Sequence, residues 1–184
     1  MNRIVKAGMC SAVVGITLAT AGCGGRDAIA ASMLSPTTYE ARASERFPFG
    51  YHDEDLGNDK FKITTEVTSI SPREDATAMA KVRAAEIAKE RGFPQFAVLS
   101  ARATTRCISN GGTTHSGMPR LEMTVQLLKE EKEGKGIYDA DAVLTELRSH
   151  VMAPNYTYEQ KRRNLEVNQK SCFRGFPLSD EDNS

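Results

Sequence analysis

Four cysteines carry the most reactive side chains of this chain, and their positions limit the chemistry that each can do. Cys10 and Cys23 lie near the amino terminus, whereas Cys107 and Cys172 stand far apart in the rest of the sequence. A thiol can be modified, can ligate a metal or can bridge to a second thiol. Since the sequence has no C-x-x-C pair and no closely spaced histidine pair, modification or bridging is favoured over a zinc or redox site.

The first 22 residues have the three parts of an export signal. Arg3 and Lys6 supply a positive start, an apolar stretch follows at 7–21, and Ala19-Thr20-Ala21 has the A-x-A form of a cleavage site. A helix that spans a membrane needs about 20 apolar residues, so this stretch is too short. We therefore predict a signal peptide at 1–22.

The residues Thr20-Ala21-Gly22-Cys23 resemble the lipobox of bacterial lipoproteins, in which an aliphatic residue and two small residues precede the cysteine. The small residues and the cysteine fit, and Thr20 departs from the pattern. The resemblance implies that the chain is cut before Cys23 and that its thiol receives a diacylglycerol. Several acyl chains would hold the protein firmly, since each buried CH₂ contributes about 0.8 kcal/mol. Gly24, where many retained lipoproteins have Asp, implies the outer membrane facing the periplasm.

Cleavage of the signal peptide determines which of the other cysteines remain in the mature chain. Cleavage before Cys23 removes Cys10, acylation uses Cys23, and Cys107 and Cys172 remain as a pair. In an oxidising compartment such a pair can form a structural disulfide, with a metal or redox pair as the alternative. Ordinary cleavage after Ala21 is the alternative to lipidation and would release a free secreted or periplasmic protein.

The composition argues against a nucleic-acid binder. Lys+Arg and Asp+Glu both total 24, so the chain has no basic excess for a phosphate backbone. Aromatic residues make up 7% and Trp is absent, which also disfavours a stacking platform for bases or sugars.

The rest of the chain divides into three parts by pattern. Residues 23–46 are small and polar and predict a flexible tether, whereas 47–153 carry the periodic apolar patterns of one domain. Residues 154–184 form a polar C-terminal tail, whose segment from Thr157 to Lys170 has little apolar face. A chain of 184 residues suits one domain with tails.

The best-defined predicted helix spans Pro72–Arg91. Ser71 is the expected N-cap, and Glu74 completes a capping box. Alanines recur with Ile87 at helical spacing, which predicts close packing on a sheet, and Gly92 suits the left-handed residue that closes a helix.

Strand patterns surround this helix. The predicted strands are 61–68, 96–99 with an extension toward Thr105, and 121–127, and a second helix is predicted at about 139–151. The order β-α-β-β-α with one-faced strands predicts an α+β fold of two layers, a small, mainly antiparallel sheet with helices on one face.

The polar residues offer few ligand sets. Asp53, Glu54 and Asp55 stand beside His52, and such oxygens suit a hard cation. We favour the alternative, a solvated loop before the first strand, because the run lacks the glycine and terminal glutamate of an EF-hand loop. We therefore predict no metal site and no cofactor.

Other charged residues have ordinary explanations. His115 falls in a predicted loop of Gly, Ser and Thr, and His150 falls near a helix end, where the dipole favours positive charge. Arg83 lies on the alanine face, so its charge must reach water or pair, for example with Glu86. The basic cluster 161–163 is either solvated or meets anionic lipid or cell-wall polymer.

Short motifs spread over about residues 47–151 resemble those of a known family. They are Gly50-Tyr51 with Asp53, Phe61-Lys-Ile63, Arg83-Ala-Ala-Glu86 with Gly92-Phe93, and Tyr138-Asp-Ala140 with Val143-Leu144. On these motifs the chain resembles an uncharacterised family of small Gram-negative envelope lipoproteins with a single small α+β domain. The resemblance implies a location and a fold class, and it assigns no catalytic residue.

No enzyme signature accompanies these motifs. The sequence lacks G-x-S-x-G, H-E-x-x-H and a P-loop, and we expect no catalytic residues. We expect a membrane-anchored envelope lipoprotein, held through lipidated Cys23, that acts as an interaction module for an envelope protein or a cell-wall polymer. The alternative is a periplasmic module that binds a small ligand or a metal through the loops around 52–55 and 109–115.

Overall fold

The computed structural model describes residues 35–42, 48–109 and 115–173. The strands in these residues are β1 (Gly50–Gly57), β2 (Lys60–Glu66), β3 (Gln95–Ser109), β4 (His115–Leu128) and β5 (Ile137–Asp139). The helices are α1 (Arg73–Glu90), α2 (Ala140–Met152) and α3 (Tyr158–Phe173). The predicted signal peptide, Cys23 and the end of the tail lie outside the described residues.

The strands form one sheet in the order β1-β2-β4-β3-β5, and every neighbouring pair is antiparallel. The register places Ile63 beside Met123, and Ala101 of β3 lies on the other side of the same β4 residue. Helices pack against one face of this sheet, which confirms the predicted α+β fold in two layers.

The core lies between α1 and the central strands. Ile63, Met123 and Val125 alternate toward the helix with 0–2% exposure, because side chains two residues apart in a strand share a face. The facing side of α1 is built from Ala80, Ala84 and their neighbours, which are fully buried. Small side chains let the helix axis come close to the sheet, and the larger strand residues fill the space between them.

The start of α1 differs from the predicted capping box. The helix begins at Arg73 with Pro72 as the N-cap residue, and no side chain caps it. The predicted cap, Ser71, instead accepts the Thr37 amide through its hydroxyl at 3.4 Å and lies 3.3 Å from the Thr68 hydroxyl. The serine therefore serves the N-terminal segment that packs beside it.

The carboxylate run that we expected in a loop belongs to a strand, so that prediction was wrong. His52 to Asp55 pair with β2 residues from Thr64 back to Phe61. The turn after them carries positive φ angles at Gly57, Asn58 and Asp59, which join β1 to β2 as a hairpin. This strand forms one edge of the sheet and has polar residues on both faces, so its sequence shows little alternation of apolar and polar residues.

Part of the predicted tether packs on the domain. Within residues 35–42, the Tyr39 amide donates to the Val151 carbonyl at 3.0 Å, and Ala41 forms a parallel bridge with Tyr51 of β1. The Tyr39 and Tyr51 rings stack with centroids 4.7 Å apart. These aromatic and backbone contacts are not visible as a periodic pattern, which explains why composition alone indicated a flexible spacer.

The polar segment after Pro154 forms α3 and lies on the helical side of the sheet. Asn168 is 1% exposed, and its amide donates to the Ser69 and Ser71 carbonyls at 2.8 and 3.0 Å. The backbone of Asn168 also approaches Gly117 of β4 so closely that an added Cβ would lie 2.1 Å from the Asn168 carbonyl oxygen. Polar contacts and a close approach at glycine, rather than an apolar stripe, position this helix.

The two remaining cysteines meet where α3 ends. The Sγ atoms of Cys107 in β3 and Cys172 in α3 lie 2.08 Å apart, with their Cα atoms 5.7 Å apart. Because the sequence separation is 65 residues, a bond here would connect α3 to a strand far away in the chain. Such a link constrains the unfolded chain, which is the main source of disulfide stabilisation in the chain-entropy model.

We predict that Cys107 and Cys172 form a disulfide bond in the native protein. Alkylation without prior reduction should label neither residue, and reduction should expose both. Replacing both cysteines by alanine should lower the free energy of unfolding by about 4 kcal/mol, measured by urea denaturation, because the closed loop is long. Labelling of both cysteines in the unreduced protein would contradict the bond, and Cys172→Ala alone should make Cys107 reactive as a positive control.

Candidate functional site

The structure separates the side chains of the carboxylate run. Asp53 and Asp55 lie on the helical side of β1, whereas His52 and Glu54 lie on the opposite side. Asp53 pairs with Arg83 at 2.8 Å, and Asp55 pairs with Arg91 at 2.8 Å. Alternation along a strand thus divides the candidate cation ligands into two sets. Among the described residues, no group of three or more His, Cys, Asp or Glu side chains could hold a metal ion.

Arg83 forms the centre of an ion-pair network at the edge of α1. Its guanidinium lies 2.8 Å from Asp53, 3.4 Å from Glu86 and 3.2 Å from Glu90. Its side chain is 16% exposed and stands over the Tyr51 ring at 5.2 Å. Burial alone would lower the pKa of Arg83, but the hydrogen bond and charge of Asp53 raise it above its usual value. The positive charge of Arg83 is therefore balanced by carboxylates of the domain itself. The pair with Glu86 is the one suggested from the sequence.

The same network holds the N-terminal segment. The Tyr39 hydroxyl donates to Glu86, whose other carboxylate oxygen lies 3.5 Å from Arg148 of α2. Burial raises the pKa of Tyr39 above its ordinary value, and the hydrogen bond to Glu86 and the negative charge of that carboxylate raise it further. A single half-buried carboxylate thus connects α1, α2 and the segment that precedes β1.

A second polar cluster joins the start of α1 to the end of α2. Asp75 is 2% exposed, and its Oδ1 accepts the Tyr156 hydroxyl at 2.6 Å and lies 3.0 Å from His150 Nε2. Its Oδ2 is buried without a hydrogen-bond partner among the described residues. Burial and the bond to Asp75 raise the pKa of Tyr156. The carboxylate lies in the first turn of α1, where the helix dipole favours negative charge, and His150 lies in the last turn of α2.

Sequence reasoning explained His150 by its helix end and missed its partners. Asp75 and Tyr156 are 81 residues apart, and no periodic pattern connects them. The structure describes no side chain of His115, and it gives His52 and His150 no common site. The three histidines therefore form no ligand set within the described residues.

The face of the sheet opposite the helices is lined mainly by polar residues in the described domain, and we call it the open face. Its central residues alternate with the core residues of the same strands and are half-buried or exposed. They are Lys62 and Thr64 of β2, Arg120, Glu122, Thr124 and Gln126 of β4, and Arg102, Thr104 and Arg106 of β3. The sequence indicated the β2 part of this face, because Lys62, Thr64 and Glu66 alternate with the apolar residues of that strand.

A nearly buried ion pair lies at one end of the open face. Glu66 is 3% exposed, and Arg106 donates to it through Nε at 2.7 Å and also through Nη2. The same Nη2 lies 3.3 Å from the sulfur of Met118, which is fully buried. Arg120 and Glu122, two residues apart on β4, form a further ion pair on the same face at 2.7 Å. These pairs give the open face fixed charges of both signs in known positions.

No helix in the described part of the chain is long and apolar enough to cross a membrane.

Two half-buried phenols make the stability of the domain sensitive to alkaline pH. The pKa values of Tyr39 and Tyr156 are raised in the folded state, whereas tyrosine in an unfolded chain titrates near pH 10. As the pH rises above about 10, the unfolded chain loses these protons first, so the free energy of unfolding should fall. Urea denaturation at pH values from about 9 to 11 measures this decline.

Phenylalanine variants test the source of the decline. Tyr39→Phe and Tyr156→Phe should each flatten it, whereas Tyr158→Phe, at a residue that is 77% exposed, should leave it unchanged. A decline of equal steepness in all three variants would contradict the assignment.

Comparison with known proteins gives this chain no relative. It matches no protein-family model, no curated protein and no solved structure at a significant level.

Proposed function

We propose that the protein is a lipid-anchored envelope protein of the outer membrane that acts by binding, without catalysis, and that the open face is its contact surface. The partner is an envelope protein or a cell-wall polymer on the periplasmic side. The observation that carries the proposal is the one-sided layering of the domain, since helices cover one face of the sheet and leave a polar face with ordered charges.

The open face has the properties of a contact surface. Its rows contain Lys62, Arg102 and Arg120 beside Glu122, together with hydroxyl and amide side chains. Ion pairs such as Arg106 with Glu66 hold long side chains in one geometry, which lowers the entropy lost when a partner binds. A mixed, ordered charge pattern gives specificity and orientation to an interface.

The docked N-terminal segment supports an anchored arrangement. Ser35 is the first described residue, and its carbonyl accepts the Thr68 hydroxyl at 2.9 Å. If the mature chain begins at Cys23, residues 24–34 span the distance between the lipid and this contact. A fully extended chain covers at most about 3.3–3.6 Å per residue, so the domain would stay within about 40 Å of the membrane surface. That reach suits a partner that lies close to the same membrane.

The alternative function is a periplasmic module that binds a metal or a small ligand through two predicted loops. One of these two segments is a strand and not a loop. Residues 52–55 lie in β1 on opposite faces, and Asp53 and Asp55 are engaged with arginines. The other predicted loop falls largely outside the described residues, which omit 110–114. Ligand binding through that loop can be tested separately from the open face, because a ligand that binds the folded state raises the melting temperature.

The anchor is tested by the fate of Cys23. The wild-type protein and Cys10→Ser should fractionate with membranes and carry the mass of an acylated chain that begins at Cys23. Cys23→Ser should lose both properties, because no thiol remains for the lipid. A wild-type chain that begins at Gly22 without acyl mass would contradict the anchor.

The open face is tested by a photo-crosslinking amino acid at Thr124, which lies at the centre of the sheet between Lys62 and Ser100. In intact cells this position should give one discrete crosslinked species, protein or peptidoglycan. The matched control is Glu159 on the exposed side of α3, which should give none. Equal crosslinking from both positions, or none from Thr124, would contradict the open face as the contact surface.

A further inference from the structure

The two edges of the sheet are protected to different degrees. At the β1 edge, the Arg42 amide donates to the Tyr51 carbonyl at 2.7 Å, and the Tyr51 amide donates to the Glu40 carbonyl at 2.9 Å. Beyond this contact, β1 carries acidic residues at 53–55 and an irregular register between Asp55 and Gly57. Docked segments, charged side chains and bulges all discourage a further strand from pairing with an edge.

The opposite edge is covered over a small part of its length. β5 pairs with Gln95–Ala97 of β3, and the Val98 amide then donates to the Gly136 carbonyl at 2.8 Å. From Leu99 to Ser109, the described residues that pair with β3 all belong to β4. We call this stretch the β3 edge. It contains no proline, no lysine and no carboxylate, so it lacks the side chains that protect β1.

The register identifies the residues of the β3 edge that point their backbone groups outward. The Leu127 amide of β4 donates to the Asp59 carbonyl, and the Pro119 carbonyl accepts from the Val67 amide, so the odd-numbered residues of β4 bond toward β2. Their partners in β3 therefore bond away from β4, because hydrogen-bonding direction alternates along an antiparallel pair. The residues with outward groups are Ala101, Ala103 and Thr105.

The helical layer leaves a gap over the same stretch. Ala101 and Ala103 have their side chains on the helical side, since their β4 partners Met123 and Leu121 are buried in the core. Both alanines are nevertheless exposed, and Leu99 before them is 53% exposed. An adjacent strand would place its own side chains beside these alanines, so apolar residues there would bury apolar surface on both strands.

The charge on the other side of the β3 edge is positive. Arg102 and Arg106 are the only charged residues of this stretch. Arg106 binds Glu66, whereas Arg102 is exposed and forms no ion pair with a described residue. Glu122 lies opposite Arg102 in the register but is bound by Arg120 at 2.7 Å. A carboxylate on an adjacent strand would therefore gain a cation that the described domain leaves available.

We propose that the β3 edge is a docking site for an extended segment of another protein, which adds to the sheet as a further strand. The segment alternates apolar residues, which cover Ala101 and Ala103, with polar residues that include a carboxylate beside Arg102. Backbone hydrogen bonds supply the affinity in this mode of recognition, and the alternating side chains supply the specificity. The site is separate from the open face and does not depend on the proposed anchor.

A second copy of this chain fits the β3 edge less well. Two copies paired antiparallel about Arg102 would place both Arg102 side chains directly opposite each other. Pairing about Thr104 would place Arg102 of each copy opposite Arg106 of the other. Like charges directly opposite each other on adjacent strands are destabilising. Pairing about Ala103 avoids this opposition but brings no carboxylate to either Arg102.

Residue-resolved NMR with a synthetic peptide tests the site on the full chain. The probe is Thr-Val-Glu-Val-Glu-Val-Thr with blocked ends, which reads the same in both directions and so presents a glutamate to Arg102 in either orientation. At saturation, the peptide should slow hydrogen exchange at the amides of Ala101, Ala103 and Thr105 by about tenfold or more, because these amides then lie between paired strands. The Thr104 amide, which bonds toward β4, should change little.

Two backbone-methylated forms of the peptide test the pairing itself. Methylation of the valine amides removes the donors that an antiparallel strand uses, and methylation of the glutamate amides removes those of a parallel strand. One form should therefore lose binding and the other should keep it. If both forms bind as the parent peptide does, or neither binds, backbone pairing is wrong and the proposal fails.

A charge reversal tests the role of Arg102. The wild-type protein should bind the glutamate peptide more tightly than the same peptide with lysines, by about two- to fivefold, the size of a cross-strand charge pair. Arg102→Glu should reverse this order. Arg163→Glu, at an exposed position of α3, changes the net charge equally and should leave the order as in the wild type. Equal binding of both peptides to the wild-type protein would overturn the proposed charge preference.

The exchange rates without peptide identify the other occupants. Slow exchange of the Ala101, Ala103 and Thr105 amides at low protein concentration would show that the chain itself already pairs with the β3 edge. Slow exchange that develops as the protein concentration rises would identify a second copy. Either result, or failure of the peptide to bind, would overturn the proposal. The open face would be unaffected, because its test is the crosslink from Thr124.

Discussion

The close approach of α1 to the central strands is the constraint on which the rest of the structure depends. Alanines such as Ala80 and Ala84 let the backbone of the helix approach Ile63 and Met123, and all four side chains are buried in one core cluster. A larger side chain at these alanines would push the helix outward, at a cost of about 1–3 kcal/mol for an overfilled core. The position of α1 in turn sets where Arg83, Glu86 and the first turn of the helix stand.

Polar groups that meet at the start of α1 hold the N-terminal segment and α3 in place. Thr68 and Ser71 bind the N-terminal segment, and the Ser69 and Ser71 carbonyls accept from Asn168 of α3. Leaving any one of these buried groups without its hydrogen-bond partner would lower the stability of the fold by about 1–3 kcal/mol. Both segments therefore depend on this set of bonds. One short loop therefore holds two segments that have little apolar surface of their own.

The sequence predicted the elements that carry a hydrophobic period. Residues 73–90 have apolar residues at helical spacing and form a helix, as predicted. Residues 121–127 alternate between apolar and polar side chains and lie in a strand, as predicted. Residues 50–57, 137–139 and 158–173 lack such a period, because they are held by edge pairing, a turn and side-chain amides. Among the site residues, the pairing of Cys107 with Cys172 was predicted from the cysteine count together with the export signal, which removes Cys10 and leaves Cys23 for the lipid. The Glu66–Arg106 pair was not, since only the folded register brings the two residues together.

The contact of Ser35 and Thr37 with the loop before α1 determines how a pull on the amino terminus would reach the domain. The Ser35 carbonyl and the Thr37 hydroxyl both bind Thr68, and Tyr39 binds Glu86 farther along the segment. Tension from a membrane attachment would load the contacts at Thr68 first and the Tyr39 contact later. Because Thr68 closely follows β2 and the Val67 amide donates to the Pro119 carbonyl of β4, this load would enter the sheet beside α1 rather than along β1. If the chain is anchored as proposed, the docked segment would act as a mechanical buffer between the membrane and the folded domain.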